Sequence, residues 1–193
     1  MPKIELQEKS FFQLLGSRPD REEFEELLSV AKAEIDDWKP DENSLKIELN
    51  DTNRPDLWSA AGLARQLRSF QEGSTPEYSF LSSQGNAREA GERLIRVDKA
   101  LKGIRPYIAA FVARGVPVSE AMLVDMINSQ EKLCWNFGRK RSTIAMGVYR
   151  ADMMKFPVHY RAADPDGTRF IPLDYSWEMS LREILETHPK GVE

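Results

Sequence analysis

Residues 119–149, SEAMLVDMINSQEKLCWNFGRKRSTIAMGVY, hold the densest set of side chains with chemistry to offer. Gly138 is followed by Arg139, Lys140 and Arg141. Guanidinium groups bind carboxylates and phosphates in a bidentate fork, and an ammonium adds a point charge. From Lys132 to Arg150 there are five basic residues and no acidic one, so a bound anion would meet little local opposition. The same three residues also suit a solvated turn at a helix C-terminus, where cations complement the dipole. Upstream, Leu123, Ile127, Gln130 and Cys134 fall at spacings of four, three and four, one face of a helix. Gln130 is the amide on that apolar face, and a buried amide needs a partner. Backbone groups or a ligand would both serve. Cys134 reads as a small core residue rather than a nucleophile. Downstream, Ile144, Met146 and Val148 alternate with smaller residues, as in a strand.

Ser119 is a natural cap for the helix that must carry Gln130. The other elements follow from similar signals. Residues 3–8 alternate as a half-buried strand. Ser10 is expected to cap a short helix that Gly16 ends, and Asp20 to cap a second over 21–31. Glu22, Glu23, Glu25 and Glu26 offer a metal or basic-partner site, or a solvated first turn. Residues 34–38 and 45–49 read as strands. Pro55 suits the first position of a helix running to about Phe70, with Asn53 as its cap. Gly62 inside that helix implies close packing, and Arg54 and Asp56, flanking Pro55, offer either a catalytic pair or, the reading favoured here, an ion pair that fixes the loop. Residues 71–91 are rich in Gly, Ser, Pro, Asn and Gln and read as a linker. Beyond them come a strand over 93–98 and a central strand in the apolar run Tyr107–Ala113. A short helical turn then follows at 150–155 and a strand at 158–161. Asp164-Pro165-Asp166-Gly167 makes a turn, and a last helix, Leu181–Thr187, is capped by Ser180 and Glu183.

Charge is uneven. Residues 1–60 carry eight lysines and arginines against fifteen acidic residues, and the rest of the chain nineteen against sixteen. Net charge is -4, so a polyanion would have to meet the second half locally. No apolar run approaches the roughly 20 residues that span a bilayer. The N-terminal residues lack a signal-peptide layout, and Cys134 is the single cysteine. The expectation is a cytoplasmic protein with no membrane partner. His159 and His188 are too far apart in sequence to argue a metal site, and no P-loop, dinucleotide or nucleophile-elbow motif occurs.

Three segments, MPKIELQEKSFFQLLG, NDTNRPDLWSAAGLARQLR and QEKLCWNFGRKRSTIAMGVYRADMM, together resemble the N-terminal portion of the phenylalanyl-tRNA synthetase beta subunit of the archaeal/eukaryotic type. The closing LREILETHPKG is similar too. The resemblance implies an α+β fold: a small N-terminal α+β domain with its linker over 1–85, then the first part of a mixed α/β tRNA-editing domain over 86–193. It implies an alpha-subunit partner in a heterotetramer, a tRNA partner, and ATP and Mg2+ for the full enzyme, with no cofactor in this stretch. In the family the editing domain hydrolyses tyrosyl-tRNA, and its pocket takes a glutamine and an arginine that fall on Gln130 and Arg141. Arg139 and Lys140 are left as possible tRNA contacts, and no catalytic residue is assigned. The family's beta subunit is longer, so the expectation is a chain that stops within the editing domain and is inactive alone. Two other readings stand beside it: a non-enzymatic RNA- or partner-binding module, and a freestanding hydrolase of mischarged tRNA.

Overall fold

The computed structural model describes residues 2–50, 53–78, 93–115 and 117–192. The fold is α+β, with six helices and three small sheets among these residues. The chain forms two compact units. One comprises Met1–Ser82 with Ala113–Arg150, the other Ser83–Val112 with Ala151–Glu193.

The first unit is built on an antiparallel sheet of β1 (Lys3–Gln7), β2 (Ala33–Lys39) and β3 (Ser44–Leu49), with β3 in the middle. Ile4 faces Ile47, and Leu6 faces Leu45. The alternation puts Ile4, Leu6, Leu45, Ile47 and Leu49 on a buried face. The intervening polar residues pair across the strands: Lys3 with Glu48 at 3.1 Å and Lys46 with Glu5 at 3.1 Å. A bulge between Ile35 and Asp37 shifts the register of β2 against β3.

Three helices complete this core: α1 (Glu8–Leu15), α2 (Arg21–Ser29) and α3 (Ala60–Glu72). Phe11, Phe12, Phe24 and Trp38 form an aromatic cluster with ring centroids 5.2–5.8 Å apart. Asp20 caps α2 in a capping box with Glu23, and Glu25 meets Arg21 at 3.0 Å. Those two glutamates serve their own helix.

Two helix starts differ from expectation. Ser10 does not cap α1, which begins at Glu8 directly after β1. Asn43 takes over the capping from across the fold. Its carbonyl accepts from the Glu8 amide at 3.1 Å and its side-chain oxygen from the Lys9 amide at 2.8 Å. Asn53 does not cap α3 either. Pro55–Leu57 is a separate 3-10 turn, and Ser59 caps α3 by accepting from the Gly62 amide at 3.0 Å. Gly62 is what lets that turn rest on the helix. A Cβ there would lie 1.7 Å from the Asp56 carbonyl oxygen. The expected ion pair is present, with Arg54 Nε and Nη2 on the two Asp56 oxygens at 2.9 and 2.8 Å.

The first unit also holds α4 (Glu120–Lys132), capped by Ser119, whose Oγ accepts from the Met122 amide at 3.3 Å. Within the second unit, β4 (Ile95–Val97) pairs in parallel with β5 (Val158–Tyr160), and β6 (Arg169–Phe170) antiparallel with β7 (Met179–Ser180). There, too, are α5 (Leu181–Thr187), with the Ser180–Glu183 capping box, and the short α6 (Pro189–Val192). Arg182 grips Asp166 with two hydrogen bonds, the Nη2 one at 2.9 Å, and so ties the 164–167 turn to α5.

The expected central strand at 107–113 does not form. Tyr107 and Phe111 are 90% and 93% exposed, and no described strand pairs with the run. An apolar run becomes a strand only when neighbours offer it ladder partners and cover. Much of the linker expected at 71–91 lies outside the described residues, while α3 itself extends to Glu72 and is closed by Gly73 at φ +64°.

Replacing Gly62 with Ala drives a methyl into backbone, so Gly62→Ala is expected to lower stability by at least about 2 kcal/mol. Gly103→Ala, where a Cβ would meet nothing within 4 Å, is expected to stay within about 0.5 kcal/mol of the parent. Urea unfolding of both variants checks this.

Candidate functional site

Helix α4 runs into a π-helical turn, Leu133–Phe137, whose i→i+5 bonding widens its end. Leu133 packs against the core of the first unit, and Cys134 is fully buried. The thiol is bonded on both sides of Met146: Sγ accepts from its amide at 3.1 Å and donates to its carbonyl at 3.8 Å. Cys134 is therefore a packing residue that fastens the downstream segment. That segment, 144–148, is not the expected strand. Its central residue spends its backbone groups on a sulfur, and no described strand pairs with it.

Between the two, the chain reverses in a left-handed turn. Arg139, Lys140 and Arg141 have φ of 48°, 55° and 66°. Three successive non-glycine residues in this region are costly, at roughly 1–2 kcal/mol each. Hydrogen bonds back onto the π-turn hold them there. The Lys140 amide donates to the Trp135 carbonyl at 2.9 Å, the Arg141 amide to the Cys134 carbonyl at 2.9 Å, and the Thr143 amide to Gly138 at 3.0 Å. Gly138 has to be glycine, because a Cβ would sit 2.3 Å from the Ile144 carbonyl oxygen and 2.5 Å from that of Cys134. Strain held by its surroundings is a common property of binding segments.

The cations are not simply solvated. Arg141 Nη2 reaches back to Glu131 at 2.6 Å, so its guanidinium lies against the helical turn that carries Gln130. The Lys140 ammonium lies 5.0 Å from the centroid of the Trp135 ring. Glu131 and Trp135 were not singled out from the sequence. Ten residues separate Glu131 from Arg141, and only the reversal at 138–141 brings them together. Gln130 is half-buried rather than enclosed, because Leu123 and Ile127 on its face are exposed. Its amide makes no hydrogen bond among the described residues, and with water in reach it carries no burial penalty. A glutamine amide and a paired arginine can each recognise a carbonyl, a carboxylate or a phosphate. No group of three or more His, Cys, Asp or Glu side chains that could hold a metal ion occurs among the described residues.

Nearby in the same unit lies a cleft of about 400 Å³, lined by residues that include Leu6, Trp58, Asp125, Ser129, Lys132 and Trp135. Burial pushes the Asp125 carboxyl above its ordinary value, against a smaller opposing effect of the Ser10 hydroxyl.

The family model "Phe-tRNA synthetase beta subunit B1 domain" matches residues 1–73. The chain is similar over its whole length to phenylalanine–tRNA ligase beta subunits. That of Borreliella burgdorferi (strain ZS7) is 45% identical over 194 residues, covering 100% of this chain and 34% of the relative. That of Borrelia hermsii (strain HS1 / DAH) is 42% identical over 193 residues, with the same coverage. The chain thus spans about one third of the length of the curated relatives it matches. Among solved structures, an N-terminal fragment of the phenylalanyl-tRNA synthetase beta subunit from Pyrococcus horikoshii aligns with a TM-score of 0.82 at 37% identity. The alignment covers 99% of this chain and 54% of that one.

Two measurements probe the site's local energetics. Arg139→Gly relieves a left-handed residue and is expected to stabilise the chain by up to about 1 kcal/mol, whereas Arg139→Val is expected to destabilise it. For Asp125, a folded pKa above the unfolded one favours the protonated acid in the fold. Its penalty therefore sets in as pH rises from the unfolded value through the folded one. Asp125→Asn is expected to raise the melting temperature at pH 7, and the gain to vanish below about pH 3. In sequence over its full length, and in fold, the chain corresponds to the N-terminal portion of the phenylalanyl-tRNA synthetase beta subunit of the archaeal type.

Proposed function

We propose that the chain works as the N-terminal part of a phenylalanine–tRNA ligase beta subunit, in the cytoplasm, paired with an alpha subunit in a heterotetramer. Along the sequence, residues 1–85 are its small N-terminal domain and residues 86–193 the first part of a domain that hydrolyses tyrosyl-tRNA, although Ala113–Arg150 group with the first compact unit. ATP and Mg2+ belong to the aminoacylation reaction of the full enzyme and bind outside this stretch. Similarity to the ligase beta subunits over the whole chain, at 45% identity, carries this reading.

In this reading the strained turn and the end of α4 form one wall of the editing pocket. Gln130 faces the aminoacyl group, and Arg141, steadied by Glu131, faces the tRNA end. A guanidinium presents a rigid planar fork of N–H donors, which suits a phosphate or ester oxygen. Arg139 and Lys140 extend the cationic surface toward the RNA backbone.

Purified without an alpha subunit, the chain is expected to form no phenylalanyl-tRNA from ATP, phenylalanine and tRNA; charging activity would overturn the reading. In the assembled full-length ligase, Gln130→Ala and Arg141→Ala should each slow tyrosyl-tRNA hydrolysis at least about tenfold, the effect of losing one good hydrogen bond, and leave phenylalanylation unchanged. Unaltered hydrolysis in both variants would remove the two residues from editing. Replacing both Arg139 and Lys140 with Ala is expected to lower the salt dependence of tRNA binding by about two phosphate contacts.

A further inference from the structure

Asn53-Arg54-Pro55-Asp56 and the helix that follows are a specific sequence block for which an editing pocket has no use. In the structure the block builds a second cleft of about 400 Å³ within the first unit, lined by residues that include Arg54, Asp56, Arg65, Gln66, Ser69 and Tyr78. Gly62, Arg65, Gln66 and Ser69 follow one another at spacings of three, one and three, a single stripe of α3.

The geometry of the block is rigid. Because Gly62 has no side chain, the Pro55–Leu57 turn lies against α3, and Arg54 is aimed at the stripe. Arg54 holds both Asp56 oxygens, and its Nη2 also donates to Gln66 Oε1 at 3.0 Å. Two things follow. The Asp56 charge is matched by Arg54, whose hydrogen bonds hold its carboxyl below the usual range. The Gln66 amide is also oriented, since its oxygen is taken, and its Nε2 is left as a donor. Arg65, next to it, is exposed; it makes no hydrogen bond or close ion pair among the described residues but adds a small electrostatic pull on the Asp56 carboxylate. Two guanidinium groups, Arg54 and Arg65, and one carboxylate, Asp56, line the cleft. Its lining also offers three kinds of donor on one helical stripe: the Arg65 guanidinium, Gln66 Nε2 and the Ser69 hydroxyl one helical turn from Arg65.

We propose that this cleft is a phosphate-binding site, in which Arg65, Gln66 and Ser69 hold one phosphate group beside the Arg54–Asp56 pair. A tetrahedral oxyanion presents acceptors in several directions and so uses donors from a guanidinium, an amide and a hydroxyl together. A flat carboxylate uses fewer of them. The site is separate from Gln130 and Arg141, and it stands whether or not those two residues take part in editing.

The test uses the 193-residue chain labelled with 15N. Inorganic phosphate is titrated at constant ionic strength, with acetate as the comparison anion, and a short single-stranded RNA is titrated separately. Saturable shifts of the Arg65 Nε–H and of the Arg65, Gln66 and Ser69 amides are expected with phosphate but not with acetate. Arg65→Gln should weaken binding at least about fivefold, and Arg65→Lys less so. If RNA shifts the same resonances, and Arg65→Gln lowers its salt slope by about one, the ligand is a backbone phosphodiester. If only inorganic phosphate shifts them, it is a free phosphate group. The proposal is overturned if neither probe moves these resonances, if acetate moves them equally, or if Arg65→Gln binds as the parent does.

Discussion

Leu45, Ile47 and Leu49 alternate along the middle strand of the only three-stranded sheet among the described residues, and all three are essentially inaccessible to water. Burial of this face is the constraint that the first unit depends on. Strand β3 can hide it only if β1 and β2 flank it and α1, α2 and α3 cover it. Each fully buried aliphatic side chain contributes roughly 1.5–3 kcal/mol. The aromatic cluster of Phe11, Phe12, Phe24 and Trp38 then locks α1 and α2 onto that sheet. The salt bridges on the outer face, such as Lys46 with Glu5, are exposed and contribute little by comparison. They bear on strand register more than on stability.

The same core supports both clefts. Leu133 anchors the π-turn on it, and that anchor sets where α4 ends and the left-handed residues begin. On α3, Leu63, Ala64 and Leu67 are buried in the core, which leaves the stripe from Gly62 to Ser69 facing the Pro55–Leu57 turn. In each place a rigid hydrophobic element holds an irregular, polar segment in a conformation it would not adopt alone. Loops that bind ligands are generally built this way.

Glu8 ties several elements of the first unit together, although its Oε2 is buried without a hydrogen-bond partner among the described residues. Its side chain is almost fully buried, yet it meets Arg18 at 2.6 Å, and its own backbone amide is satisfied by Asn43. Asn43 sits in the left-handed region at φ 51°, so a turn residue between two strands closes the start of a helix. That arrangement links the β2–β3 connection to the β1–α1 junction. The unit thereby behaves as one packed body rather than as a sheet with helices attached.

Local signals were enough to place β1, β2, β3, α2 and α5, because alternation and capping boxes act over a few residues. The steric need for glycine at 62 and the Arg54–Asp56 pair were equally legible, since both lie within one short block. The motifs also carried the family resemblance. Tertiary structure decided the rest. Ser10 and Asn53 were plausible caps until Asn43 and Ser59 took those roles. Two strand-like runs, 107–113 and 144–148, form no ladder, because β structure requires partners that a sequence window does not contain. Gln130 lay on an apolar stripe of which Leu123 and Ile127 proved exposed, and Arg141 found Glu131 only through the reversal at 138–141. Helix caps, turns and periodicity are set by neighbours along the chain. Burial and charge pairing are set by neighbours in space, and those exist only once the core has formed.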